Sequence, residues 1–438
     1  MDDRYKDKRV LVFGLGVNQG GVGSARFFAK EGAQVRVTDL KTEYQLKSSL
    51  DELSAFKNIE YILGQHRNED IDWADLIIKN PGVKPGNSYI EYGEKLGKRI
   101  ELDIGIFLEF VPATRLVGVT GTKGKSTTAS LIYEALNAGG LDALLAGNIG
   151  KSVLDAIPQI RDETLAVLEL SSFQLEAFEK HQLSPKWAII TNITPDHLNY
   201  YSSMSEYIQS KRSIAKYQTA KDYLFIRRND RLTTKPDFLK GFRAQIVYFS
   251  AEDLPVNFKP KIMGKHNLDN IAAALSVAQT FGLDKEKTLK VLGKFGGVEF
   301  RLQLIKKWQG VRIYNDTTAT GPDAGIKALE VFPGCILIAG GVNKNLPYEQ
   351  YAKTVEKLAK KVFFLEGDAT EEMKRQIKRK GLVAGTYRSL EKLLGDLKQI
   401  AKNGDTILFS PAAASFNLFQ NEFDRGRQFN AAVQKIFD

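Results

Sequence analysis

Eleven residues, GVTGTKGKSTT at positions 118–128, combine the types that handle phosphate. The apolar run RLVGV (115–119) reads as a strand that feeds a glycine-rich turn, and the turn opens onto an apolar-periodic helix over 127–137. A turn so placed wraps backbone N–H groups around phosphate oxygens, and the helix N-terminus adds partial positive charge. Gly121, Thr122, Lys123 and Gly124 form the wrap, Lys125 reaches the outer phosphates, the Ser126 hydroxyl suits Mg²⁺, and Thr127 opens the helix. The strict P-loop spacing is missed by one place, because Val119 stands where the first glycine is expected. Strand, turn, Lys-Ser pair and helix still occur together and predict a nucleotide-phosphate site.

Other polar residues gather where apolar runs end. Glu169 closes TLAVLEL (164–170), where a carboxylate either holds Mg²⁺, a hard ion that prefers oxygen, or faces solvent. His197 follows the run WAIITNIT (187–194) in a chain with four histidines, and no HExxH or Cys/His zinc spacing accompanies it. Lys211 falls on the apolar stripe of its helix, with Met204, Tyr207, Ile208, Ile214 and Ala215. Either its stem lies across the core with the ammonium outside, or it is a buried functional lysine. Asn267 and Asn270, one turn apart, could pair with a base edge or ribose, or Asn267 could cap the helix that begins near His266. Gly14, Gly16, Gly20 and Gly21 miss the dinucleotide spacing by one residue, and Asp39 ends the second strand where such folds place a ribose-binding acid. A nicotinamide enzyme is one reading of that half-motif. The loose glycines and the second nucleotide loop speak against it.

The elements that must hold these residues alternate. RVLVFG (9–14), a helix near 24–30, QVRVTD (34–39) and DLIIKN (75–80) fill the first third. The middle has the phosphate loop, the strands ending at Glu169 and Thr194, polar stretches at 227–237 and 252–261 that read as loops, and the helix near 266. VRIYND, CILIAGG, KVFFLEG and DTILFSP fill the last third. Such alternation predicts an α/β protein of parallel sheets covered on both faces. The length of 438 residues suits about three domains, with boundaries near 111–114 and at the hinge-like GKFGG (293–297). Lys and Arg number 62 against 52 acidic residues, a net +10 without a long basic block, which suits a phosphate-rich partner, nucleic acid or plain solubility. One cysteine, Cys335, excludes an intrachain disulfide. With no run of about 18 apolar residues for a membrane span and a charged start unlike a signal peptide, a cytoplasmic protein is expected.

In order along nearly the whole chain, GLGVNQGGVG (14–23), NPGV (80–83), the phosphate loop, GNIG (147–150), ELSSFQLE (169–176), NITPDH (192–197), the Lys211 helix, GKHNLDN (264–270), FRLQ (300–303), NDTTAT (315–320) and SPAAASFNLFQNEFDRG (410–426) resemble the Mur ligases of peptidoglycan synthesis, in particular their D-glutamate-adding branch. The resemblance implies a Rossmann-like N-terminal domain over 1–112, a central P-loop-type ATPase domain over 113–297 and a Rossmann-like C-terminal domain over 298–438. It implies an ATP-dependent amide ligase that adds D-glutamate to UDP-N-acetylmuramoyl-L-alanine through an acyl phosphate, acting as a monomer without nucleic acid. Lys125, Glu169, His197 and Lys211 would be catalytic, with two Mg²⁺ ions on Ser126, Glu169, His197 and a carbamylated Lys211. Asn267 and Asn270 would face adenine, and Arg301 and Asp316 the ribose and phosphates. Gly14, Gly16, Gly20, Asp39, Asn80, Asn148, Ser171 and Gln174 would hold the UDP-sugar peptide, and Thr320, Lys344 and Ser415 the incoming amino acid. Three positions depart from the family pattern: Thr318 replaces a lysine, Lys123 an asparagine, and Glu422 an apolar residue.

Overall fold

Strands that are apolar on both faces belong inside parallel sheets. Leu76–Lys79, Leu116–Thr120, Leu165–Glu169 and Cys335–Gly340 are buried along their whole length. A computed structural model of the chain, which describes residues 3–16, 19–84, 86–148, 152–196, 200–262, 264–343, 346–415 and 417–438, places them in three sheets. The first has the order Ile59–Leu63, Gln34–Asp39, Arg9–Phe13, Leu76–Lys79, Arg99–Glu101, every pair parallel. Strand order turns between Arg9–Phe13 and Leu76–Lys79, which opens a crevice at their carboxyl ends. Gly14 and Asn80 follow those two strands directly.

The second sheet runs Gln245–Phe249, Tyr223–Arg227, Trp187–Ile190, Leu116–Thr120, Leu165–Glu169, Ala143–Gly147, again all parallel. Its register sets Val119 beside Glu169 and Thr120 beside Ile190, so three strand ends converge on the phosphate loop. The helix after the loop spans Lys125–Ala138, two residues earlier than its apolar period suggests. The helices expected near 24–30 and 266 span Gln19–Lys30 and His266–Thr280. The stretches expected as loops contain structure: Arg227 closes a strand, Ala251–Asp253 is a 3₁₀ turn, and Pro236–Leu239 is a short helix opened by proline at its first position.

The third sheet departs from plain alternation. Gln303–Trp308 pairs antiparallel with Val311–Asn315, and Thr406–Phe409, Cys335–Gly340, Ala359–Leu365 and Val383–Tyr387 continue in parallel. The hairpin turns through Gln309 (φ 45°) and Gly310 (φ 81°). Two successive positive φ values match the right-handed twist of the strands they join.

Two compact units result, Met1–Pro260 with Gly264–Phe295, and Lys261–Met263 with Gly296–Asp438. The first contains two of the three α/β domains, because one buried cluster joins Val12 and Phe28 of the first sheet layer to Leu168 and Ile190 of the second. The wholly buried helix Asp103–Phe107 belongs to that cluster, as do Val153 and Leu154. In the second unit, Leu337, Phe364 and Met373 fill one side of the sheet, and Ile338, Leu394 and Phe429 the other. Among the described residues no helix is long and apolar enough to cross a membrane.

Candidate active site

The phosphate loop keeps its shape through backbone that only glycine adopts easily. Gly121 has φ +144°, and Gly124, the N-cap of the following helix, has φ +86°. A Cβ on Gly121 would lie 2.0 Å from Thr191 Oγ1, and one on Gly124 2.6 Å from Asn270 Oδ1. Asn192 braces the turn from the neighbouring strand end. Its carbonyl accepts from Thr122 N (2.9 Å), its Oδ1 accepts from Lys123 N (3.0 Å), and its Nδ2 donates to Lys123 O (2.9 Å). Lys125 Nζ donates to the carbonyls of Gly121 and Thr122, each at 3.0 Å. The Lys123 ammonium is exposed and 3.6 Å from Asp196.

Two buried oxygens at this strand edge have no hydrogen-bond partner among the described residues: Ser126 Oγ and Glu169 Oε2. Glu169 is 1% exposed, which excludes the solvent-facing alternative. An unpartnered buried oxygen costs about 1–3 kcal/mol, and a bound ligand would supply both of these with a partner. Hard oxygen donors of this kind fit Mg²⁺. Lys211 is 2% exposed, so it is buried and does not reach out to solvent. Its Nζ sits 4.8 Å from the centre of the Tyr207 ring. Burial, and then the nearby Lys125 charge, lower its pKa to about 7 against an opposing pull from Asp196. A large fraction of this amine is therefore neutral at neutral pH, the form able to take up CO₂. His197 lies outside the described residues.

Asn267 does not cap its helix. Lys265 is the N-cap, and Asn267 Oδ1 accepts instead from Asn270 Nδ2 at 2.9 Å. Asn270 Oδ1 accepts from Thr128 Oγ1 at 3.2 Å, so the asparagine pair is tied to the helix that carries Lys125. Asn148 N donates to Glu169 O at 2.9 Å, which sets Asn148 beside the end of the strand that Glu169 closes.

Ser171 and Gln174 bond each other reciprocally: Ser171 Oγ donates to Gln174 Oε1 (3.0 Å) and Gln174 N donates to Ser171 Oγ (3.2 Å). In the first sheet's crevice, Asp39 supports the backbone of the glycine turn. It is 5% exposed, and its carboxylate accepts from Gly16 N and Lys41 N, each at 2.8 Å. It props the glycine turn. Asn80 likewise bonds Gly14 O (3.2 Å) and Gly82 N (3.0 Å). Gly20 lies in the first turn of Gln19–Lys30.

In the second unit, Asp316 and Ser410 follow adjacent strands and meet at 2.8 Å. The other Asp316 oxygen accepts from Leu302 N at 3.1 Å. Burial raises this carboxyl to about 7, against the pull of the Ser410 and Leu302 bonds and the Arg301 charge. Ser415 is buried with its hydroxyl unpartnered among the described residues. Thr320 N donates to Thr318 O at 3.0 Å. Lys344 lies outside the described residues. Thr318, at the position of the family lysine, donates to Phe300 O at 2.9 Å. Phe300, Leu302 and Ala412 have φ of 63°, 44° and 55°, so FRLQ and SPAAAS both contain left-handed backbone of the sort that clusters at functional sites.

A family model of the Mur ligase middle domain matches residues 119–278, one of the MurD-like N-terminal domain matches 8–101, and one of the glutamate ligase domain matches 300–413. The UDP-N-acetylmuramoylalanine–D-glutamate ligases of Roseiflexus sp. (strain RS-1) and Borreliella afzelii (strain PKo) are each 36% identical, over 98% and 99% of this chain and 99% of their own. The chain belongs to the Mur ligase family. Among solved structures, the UDP-N-acetylmuramate-alanine ligase of Thermotoga maritima shares its fold, with a TM-score of 0.63 at 20% identity over 98% of this chain and 99% of that one. The MurF ligase of the same organism, solved in complex with ADP, has a TM-score of 0.55 at 18% identity over 99% of each chain.

One further residue of this Mur ligase escaped sequence reasoning. Arg425 is wholly buried and reaches Thr317 Oγ1 (2.8 Å), Thr317 O (2.8 Å) and Ala413 O (3.0 Å), so it pins NDTTAT to SPAAAS. Burial lowers its pKa to about 9. The signal was available, because Arg425 shares a helical face with Phe429, Ala432 and Val433, as Lys211 does with its own apolar neighbours.

Proposed function

We propose that this Mur ligase joins the amine of D-glutamate to the carboxylate of UDP-N-acetylmuramoyl-L-alanine, converting ATP to ADP and phosphate in peptidoglycan precursor synthesis. The observation that carries the reading is the pair of unpartnered buried oxygens, Ser126 Oγ and Glu169 Oε2, at the edge of a phosphate loop. Ser126, Glu169, His197 and a carbamylated Lys211 would hold two Mg²⁺ ions, which when bound would neutralise phosphate charge during transfer.

A carboxylate oxygen of the sugar peptide attacks the γ-phosphorus. The bond from that phosphorus to the β–γ bridging oxygen breaks, and ADP leaves behind an acyl phosphate. The amine then attacks the acyl carbon and loses a proton as the carbon–oxygen bond to phosphate breaks. In both steps the protein's part is positioning and charge. Gly121, Thr122, Lys123, Gly124, Lys125, Ser126 and Thr127 would hold the phosphates, Asn267 and Asn270 the adenine, and Arg301 and Asp316 the ribose side. Gly14, Gly16, Gly20, Asp39, Asn80, Asn148, Ser171 and Gln174 would line the UDP-sugar subsite, Asp39 and Asn80 by shaping its backbone. Thr320, Lys344 and Ser415 would hold the amino acid. Residues 1–112, 113–297 and 298–438 are the corresponding domains. The reading carries with it a monomer working in the cytoplasm, where ATP and the nucleotide substrate are.

Thr318 favours a second reading, a Mur ligase that adds a different acidic amino acid, since a hydroxyl engaged with Phe300 O replaces a long cation. Purified protein with ATP, Mg²⁺ and UDP-N-acetylmuramoyl-L-alanine is expected to release phosphate and form the UDP-dipeptide with D-glutamate, in preference to L-glutamate or D-aspartate. Phosphate release that ignores donor and acceptor would refute the ligase. A preference for another acid would refute only the D-glutamate assignment.

A further inference from the structure

Tyr207, on the helix Met204–Arg212, is 1% exposed. A buried tyrosine needs a partner for its hydroxyl, and any backbone carbonyl would serve. Here the partner is Thr122 Oγ1 of the phosphate loop, at 3.1 Å. Thr122 Oγ1 also accepts from Thr194 N at 3.0 Å and lies 3.1 Å from Thr194 O. A hydroxyl has one proton and two lone pairs. All three contacts are made together only when Thr122 donates to Thr194 O and Tyr207 donates to Thr122. Burial pushes the Tyr207 phenol up to about 12, which keeps that proton in place.

The ring works on a second group. Lys211 follows Tyr207 by four residues, one helical turn, and its Nζ rests 4.8 Å from the ring centre. The ring is held in turn by Tyr201, 5.4 Å away, which stacks on Phe173 of the ELSSFQLE block at 6.0 Å and 3°. One rigid side chain therefore touches both the turn that faces phosphate and the buried lysine behind it.

We propose that Tyr207 is a positioning residue for the phosphoryl-transfer site: its hydroxyl sets Thr122 and so the loop's grip on ATP, and its ring sets the end of Lys211. The inference rests on the reading of residues 118–128 as the ATP site and goes beyond it in naming what fixes that site's geometry.

Steady-state kinetics on the full-length enzyme separate the two tasks. Tyr207→Phe removes only the hydroxyl. The loss of one hydrogen bond is expected to raise the Michaelis constant for ATP about fivefold, leaving kcat and the Michaelis constant for the UDP-substrate within about twofold. Tyr207→Leu removes the ring as well and is expected to lower kcat by at least about tenfold relative to Tyr207→Phe. A merely structural tyrosine would lower the melting temperature and the active fraction in both variants without moving the Michaelis constant for ATP. Thr122→Val removes the same hydrogen bond together with both Thr194 contacts, so it should raise the Michaelis constant for ATP at least as far as Tyr207→Phe does, and the double variant Thr122→Val/Tyr207→Phe should be no worse than Thr122→Val alone. Thr122→Val carries the test if Tyr207→Phe does not fold. An ATP Michaelis constant within twofold of the parent in Tyr207→Phe, or fully additive effects, overturns the proposal. A parent enzyme that fails to turn over ATP sinks the ligase reading instead, and the two failures are thereby distinguished.

Discussion

Replacing Gly124 by alanine tests whether the shape of the phosphate loop, and not merely its lysine, makes the site. Gly124 sits at φ +86°, where a Cβ costs roughly 1–2 kcal/mol. The new methyl would also stand 2.6 Å from Asn270 Oδ1. Asn270 would have to turn away from Thr128 Oγ1 and Asn267, two bonds worth roughly 1 kcal/mol each. Together these reach about 3–4 kcal/mol, and even about 2 kcal/mol of that expressed in the site is about thirty-fold in affinity if the loop relieves the strain by changing shape. Gly140 provides the control. It has φ +85°, nothing lies within 4 Å of its added Cβ, and it sits past the far end of the same helix. Both alanine variants should melt a few degrees below the parent. Isothermal titration should then find ADP binding weakened about thirty-fold or more in Gly124→Ala and unchanged in Gly140→Ala. Equal nucleotide affinity in the two variants would refute the argument, because it would show that the loop tolerates the collision without altering the site.

Two pH effects follow from buried groups. Lys211, with its pKa lowered to about 7 by burial and then by Lys125, binds fewer protons folded than unfolded between about pH 7 and its ordinary 10.5. Its contribution to stability should therefore rise with pH across that window, and denaturant titrations of Lys211→Met should lack that rise. With ¹³C-bicarbonate, a carbamate signal should grow as pH climbs through about 7 and be missing in Lys211→Met. Asp316 has the opposite sign. Its carboxyl is raised to about 7 by burial, so it stabilises the fold below about 3.8 and loses that contribution as pH climbs through 7. Asp316→Asn keeps an acceptor for Leu302 N and a donor for Ser410 Oγ. It should raise the melting temperature relative to the parent at pH 8, with the gain shrinking toward pH 4, and a constant difference across that range would contradict the assignment.

Much of the site was legible before any coordinates. The strand–turn–helix around Lys125 is local, because glycine conformations and a helix N-terminus act over a few residues. Apolar strands read as parallel because both faces are buried. The off-pattern charge of Lys211 on an apolar stripe raised a buried lysine as one of two readings, and the same reasoning applied to residues 422–436 would have singled out Arg425. The strands Tyr223–Arg227 and Gln245–Phe249 were missed because their ends are polar and short, and the sheet that accepts them is formed by distant residues.

What the amino-acid order determined by itself was the set of short-range devices: which runs are strands, where phosphate can be wrapped, and which polar types stand at strand ends. Tertiary structure alone decided what those polar groups are free to do. Asp39 and Asn80 are taken up by the glycine turn, whereas Ser126 and Glu169 each keep an oxygen without a partner among the described residues. The bracing of the phosphate loop by Asn192 and Asn270 also joins residues far apart in the chain. Partner choice across such separations depends on strand register and side-chain packing, and neither is encoded in any one window of sequence.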